Sequence, residues 1–168
     1  MSGDTMTASR GPELEPAEGA EIQRVAQLFG GPKVLRHKLR DPFDAHEALK
    51  EGLPGAAVTH LIGQVHNILG VPDDVLHAAI GMSVRTVQRL KRTPRKRLSR
   101  AQSGQVWNFA RILAKATDVL GSREAAEQWL ARPAMALDRR QPIELLGTAA
   151  GIQLVEDLLG RIEYGVYT

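Results

Sequence analysis

From Glu21 onward, apolar residues recur at helical spacing: Ile22, Val25, Ala26 and Phe29 fall at i, i+3, i+4 and i+7. "FGGPK" at 29–33 stops that helix through Gly30, Gly31 and Pro32. Asp41 before Pro42 predicts an N-cap followed by proline at the first helical position, opening "PFDAHEALKEG". Gly52 and Pro54 repeat the stop and start, and "GAAVTHLIGQVHNIL" follows with Val58, Leu61, Ile62 and Val65 on one face. Between Gln102 and Leu120, the residues Val106, Phe109, Ala110, Leu113, Ala116 and Leu120 form a wide apolar stripe, with Trp107 and Ile112 beside it. Gly121 closes that helix and Ser122 caps the next, which presents Ala126, Trp129 and Leu130. Pro133 and "LDRRQP" read as a loop, Pro142 opens a short helix with Leu145 and Leu146, and Thr148 caps a last helix. The inward face of that last helix is Ile152, Val155, Leu159 and Ile162, and Leu154 and Leu158 are assigned to the same bundle. No stretch of four or more residues alternates cleanly at period two, so the chain reads as all-α, a compact bundle with short loops.

Residues 1–18 are rich in Ser, Thr, Gly, Pro and Glu and are expected to form a mobile leader. The whole chain has 168 residues, 43% hydrophobic and 24% charged, as in soluble globular proteins. No apolar run approaches 18 residues, and the N-terminus has neither the basic region nor the apolar region of a secretory signal. With no cysteine, disulfides, thiolate metal sites and a cysteine nucleophile are excluded, and the expected location is the cytoplasm.

Charge changes the picture most. The net charge is only +3, yet residues 75–117 carry ten basic side chains and no acidic one, while residues 118–168 are net acidic. A central basic stripe of this kind is the electrostatic footprint of a polyanion binder. Within it, "PDDVLHAAIGMSVRTVQRLKR" at 72–92 follows a helix-turn-helix grammar. Asp73 or Asp74 caps a short helix with Leu76 and Ile80 inward, and Gly81 makes the turn. Ser83 caps a second helix with Val87 and Leu90 inward. Its outward face carries Arg85, Thr86, Gln88, Arg89 and Arg92, side chains suited to base edges and phosphates, and Arg95, Lys96 and Arg97 follow at once. Ser83 joins these as a candidate DNA contact. His77 stands where the two helices cross, a place usually held by a small residue, and is expected to open the interhelical angle or point aside.

Nothing in the chain assembles a catalytic centre. "HEALK" at 46–50 begins like a zinc-protease helix, but Lys50 stands where the second histidine ligand belongs. His60 and His66, six residues apart, do not share a helical face. There is no G-x-S-x-G, P-loop or G-x-G-x-x-G. No enzyme activity, metal or cofactor is therefore expected.

The order of parts carries a resemblance. "VLHAAIGMSVRTVQRLKR", "LSRAQSGQVWNFARILAKATDVLGS", "EAAEQWLARP" and "ALDRRQPIELLGTAAGIQLVEDLLGRIEYGVYT" together resemble the Xre/MbcA/ParS antitoxin family, over about residues 20–168. The resemblance implies an Xre-like helix-turn-helix N-terminal domain followed by a small C-terminal helical bundle. The expected division is a leader at 1–18, a dimerisation and DNA-binding part at 19–98 and a toxin-binding part at 99–168. It further implies a type II antitoxin that neutralises a RES-domain, NAD-consuming toxin and represses its own operon as a homodimer. Both tyrosines of the chain lie in its last five residues. Tyrosine suits interfaces, so Glu163, Tyr164, Gly165, Val166, Tyr167 and Thr168 are the candidate toxin contacts. The alternative is that the tyrosines pack back on their own bundle. At the level of function, the alternative is a helix-turn-helix regulator whose C-terminal bundle senses a ligand or only oligomerises.

Overall fold

The computed structural model describes residues 16–166. Tyr167 and Thr168 lie outside that span, as do residues 1–15. The helices in chain order are α1 (Pro16–Leu28), α2 (Gly31–Leu35), α3 (Pro42–Glu51), α4 (Gly55–Leu69), α5 (Asp73–Ala79), α6 (Val84–Arg92), α7 (Arg100–Leu120), α8 (Arg123–Leu130), α9 (Pro142–Leu145) and α10 (Ala149–Glu163). A single 3-10 turn, Met135–Leu137, lies between α8 and α9. Among the described residues there is no strand, only isolated bridges at Pro54–Arg97 and Ala134–Arg140.

The caps explain most of the boundaries. Asp41, Ser83, Ser99, Ser122 and Thr148 each accept a hydrogen bond from the backbone N–H three residues on. Each side chain satisfies a donor that the helix start leaves unpaired. Three expectations shift. Residues 16–18 are the first turn of α1 rather than leader, and "GPKVL" is a short helix of its own, opened by Pro32. Asp73 and Asp74 do not cap α5; Pro72 holds that position, and the two carboxylates sit in the first turn, where the helix dipole favours negative charge.

The core is organised around α7, which packs against α1, α3, α8 and α10. Its stripe Val106, Phe109, Ala110, Leu113 and Ala116 is buried, and Trp107 stacks on Phe29 of α1 with ring centroids 6.0 Å apart. Two polar side chains of α7 pin distant backbone. Ser103, fully buried, accepts from the Leu53 N–H at 2.9 Å. Gln105 Nε2 donates to the Ala79 carbonyl at 2.8 Å and to the Leu146 carbonyl at 2.6 Å, joining the end of α5 to the end of α9. Trp129, Leu145 and Leu158 pack against the core, and Leu146 and Val155 are inside it. Leu154 is the exception: it is 52% exposed, because it lies outside the arc that Ile152, Val155 and Leu159 turn inward.

Candidate functional site

Two surfaces hold the side chains singled out by sequence. The first is built on α5 and α6. Leu76, Ile80, Val87 and Leu90 are buried and fix the two helices against the rest of the bundle. Gly81 has φ +71, and a Cβ there would lie 2.6 Å from Gln105 Cγ, so any other residue at this turn is strained and must displace the Gln105 side chain. The Ser83 hydroxyl accepts from the Thr86 N–H at 3.2 Å and lies 3.0 Å from the Thr86 hydroxyl. Arg85, Thr86, Gln88, Arg89 and Arg92 together line one shallow groove on the outer face of α6. Among the described residues, the three arginines of that groove form no ion pair. His77 is buried, lining a cleft with Ile62 of α4 and Val84 and Val87 of α6, and its Nδ1 has no hydrogen-bond partner.

The loop after α6 is held rigidly. The Gly55 N–H donates to the Lys96 carbonyl at 2.8 Å and the Ala56 N–H to the Pro94 carbonyl at 2.9 Å. The Arg95 and Lys96 side chains remain exposed. Arg97 differs from them: its Nη1 donates to the Gly52 carbonyl at 2.8 Å and lies 3.8 Å from a Glu51 carboxylate oxygen. Part of that guanidinium therefore serves the fold.

The second surface is the end of α10. Tyr164 is its C-cap and Gly165, at φ +69, its left-handed stop. The Gly165 N–H donates to the Ile162 carbonyl at 3.1 Å and the Val166 N–H to the Arg161 carbonyl at 2.8 Å. This is a Schellman motif, which satisfies the last carbonyls and fixes the chain direction beyond the helix. Glu163 is exposed, Tyr164 is 81% exposed and Val166 55%, so Tyr164 does not pack back on its own bundle. A shallow groove beside them is lined by Lys115, Gln153, Glu156, Asp157, Arg161 and Tyr164. Glu156 is held by Arg111 of α7 at 2.6 Å. Sequence reasoning missed Leu154, Asp157 and Arg161, which share the outer face of α10 with Tyr164; their i, i+3, i+7, i+10 spacing was the signal.

A partly buried polar chain joins α4 to α8. Arg123 Nη1 donates to Gln64 Oε1 at 2.7 Å, and Arg123 Nε donates to Glu127 Oε1 at 2.9 Å. Glu127 is fully buried, and its Oε2 has no hydrogen-bond partner. Desolvation pushes its carboxyl above the ordinary value, with Arg123 pulling the other way. Among the described residues no group of His, Asp and Glu could hold a metal ion, and no helix is long and apolar enough to cross a membrane.

Comparison with known proteins gives these surfaces a frame. Residues 44–111 match the antitoxin Xre-like helix-turn-helix domain, and residues 115–165 match the antitoxin Xre/MbcA/ParS C-terminal toxin-binding domain. An all-α chain of these two parts is a type II antitoxin with a helix-turn-helix. The chain belongs to the Xre/MbcA/ParS antitoxin family. It is 31% identical over 109 residues to the antitoxin Xre of Yersinia enterocolitica, covering 64% of this chain and 73% of that protein. It is 31% identical over 119 residues to the antitoxin Xre of Photorhabdus laumondii, covering 70% and 77%. To the Prs ADP-ribosylating antitoxin of a Sphingobium species it is 26% identical over 155 residues, covering 86% and 94%.

Proposed function

We propose that this antitoxin binds and neutralises a RES-domain, NAD-consuming toxin through its C-terminal part, and represses its own operon as a homodimer with α6 in the DNA major groove. The observation that carries the toxin half is the end of α10. A Schellman stop holds Tyr164 and Val166 out in solvent with Glu163 beside them, at the edge of the matched toxin-binding domain. Apolar and aromatic side chains held exposed by ordered backbone bind with little entropy loss. Glu163, Tyr164, Gly165, Val166, Tyr167 and Thr168 form the contact in this reading, with Leu154 extending it along the helix. The Sphingobium relative, named for ADP-ribosylation, supports a partner whose chemistry centres on NAD. That chemistry belongs to the partner; this chain acts without cofactor or catalysis, in the cytoplasm.

Residues 19–98 serve dimerisation and DNA binding, and 99–168 toxin binding. The unpaired arginines on α6 support the DNA half: Arg85 and Arg89 suit guanine edges, Gln88 suits adenine, and Ser83, Thr86, Arg92, Arg95, Lys96 and Arg97 suit phosphates. The test is to add the purified chain to the product of the neighbouring gene and follow NAD. NAD loss is expected to stop as antitoxin is added. A neighbour that consumes no NAD, or consumes it unimpeded, overturns the reading.

A further inference from the structure

A second basic cleft lies beyond α6, and its residues come from parts of the chain far apart in sequence. Lys33, Val34 and Arg36 from α2 and its C-cap face Pro94, Arg95 and Arg97 of the loop after α6, with Pro54 and Ala56 at the floor. The charge in this cleft is uneven. Arg97 is engaged by the Gly52 carbonyl and Glu51. Lys33, Arg36 and Arg95 have no ion-pair partner among the described residues, and all three are exposed. The Gly55 and Ala56 N–H groups at the start of α4 are already taken by the Lys96 and Pro94 carbonyls, so the cleft's positive charge comes from its side chains.

Its position relative to α6 sets what it fits. Arg95 follows Arg92, the last residue of α6, by three positions, at most about 11 Å of chain. The major groove is about 12 Å wide, so a cation within that reach of a helix lying in it falls among the flanking phosphates, and Lys33 and Arg36 share the cleft of Arg95. We propose that Lys33 and Arg36, with Arg95, form an anchoring cleft that grips the phosphate backbone of duplex DNA beside the groove read by α6. The proposal rests on the DNA-binding reading above, and it enlarges the footprint: Lys33 and Arg36 lie outside the matched helix-turn-helix stretch of 44–111. Backbone cations position a protein on DNA without choosing sequence. Their loss therefore weakens all duplexes alike.

The test compares two double variants of the full chain, Lys33→Gln with Arg36→Gln and Arg85→Ala with Gln88→Ala, each checked for folding by circular dichroism. Binding is measured across a salt series to a duplex from upstream of the chain's own gene and to a scrambled duplex of equal length. Two phosphate contacts contribute about 1.8 to the slope of log affinity against log salt, about 30-fold in affinity between 0.15 and 1 M salt. The Lys33/Arg36 variant is expected to lose that slope and affinity on both duplexes, keeping the parent's preference between them. The Arg85/Gln88 variant is expected to lose the preference. Parental slope and affinity in the Lys33/Arg36 variant, with preference lost in the other, overturn the anchoring cleft and leave α6 as the reader. Parental behaviour in both variants, or no binding by the parent, overturns the DNA reading together with the cleft.

Discussion

At Gly151, in the first turn of α10, a Cβ would run into the backbone carbonyl of Leu145. Backbone cannot swing aside as a flexible side chain can, so Gly151→Ala must displace α9 or α10. The expected cost is about 3 kcal/mol in denaturant unfolding; a loss below about 0.5 kcal/mol would show that the two helices separate freely. Single residues were legible where their effect is local. Ser83, Ser122 and Thr148 were readable as caps because a cap needs only the next three residues, and Gly81 was readable as a turn from its immediate neighbours. Leu154 was not. A leucine in an amphipathic helix reads as core, and only its angle to Ile152, Val155 and Leu159 places it outside. Arg97 escaped too: the Gly52 carbonyl that holds it lies 45 residues away in sequence.

Among elements, the contact of α4 with α8 joins the helix-turn-helix part to the toxin-binding part through Gln64, Arg123 and Glu127. Glu127 binds its proton more tightly in the folded chain than in the unfolded one, because burial raises its carboxyl above the ordinary 4.5. Its contribution to stability is therefore fully present below that value and is lost as the pH rises through the raised one. Melting the parent and Glu127→Gln side by side should show the parent losing ground to the variant as the pH climbs past 4.5. A difference that stays level with pH would mean that Glu127 titrates as it does unfolded. Periodicity foretold α7 and α10, whose apolar stripes are long. It did not foretell α2, five residues long and readable as a loop, nor the cleft that α2 forms with Arg95, since no local pattern links positions some sixty residues apart.

The whole molecule places two surfaces of different character on one continuous core. The α6 side is uniformly basic, whereas the α10 side mixes Lys115 and Arg161 with Glu156 and Asp157 beside exposed Tyr164 and Val166. The first character suits a polyanion and the second a protein surface. The tail carries the claim that matters most, and a chain ending at Glu163 isolates it. The measurement is NAD consumption by the neighbouring gene's product, the proposed toxin, titrated with the full chain and with the shortened one, each first shown by circular dichroism to keep its helices. The shortened chain is expected to need at least about tenfold more protein for the same inhibition, the weight of one interface anchor at about 1.4 kcal/mol. Inhibition at the same concentration as the full chain would contradict the role of the tail.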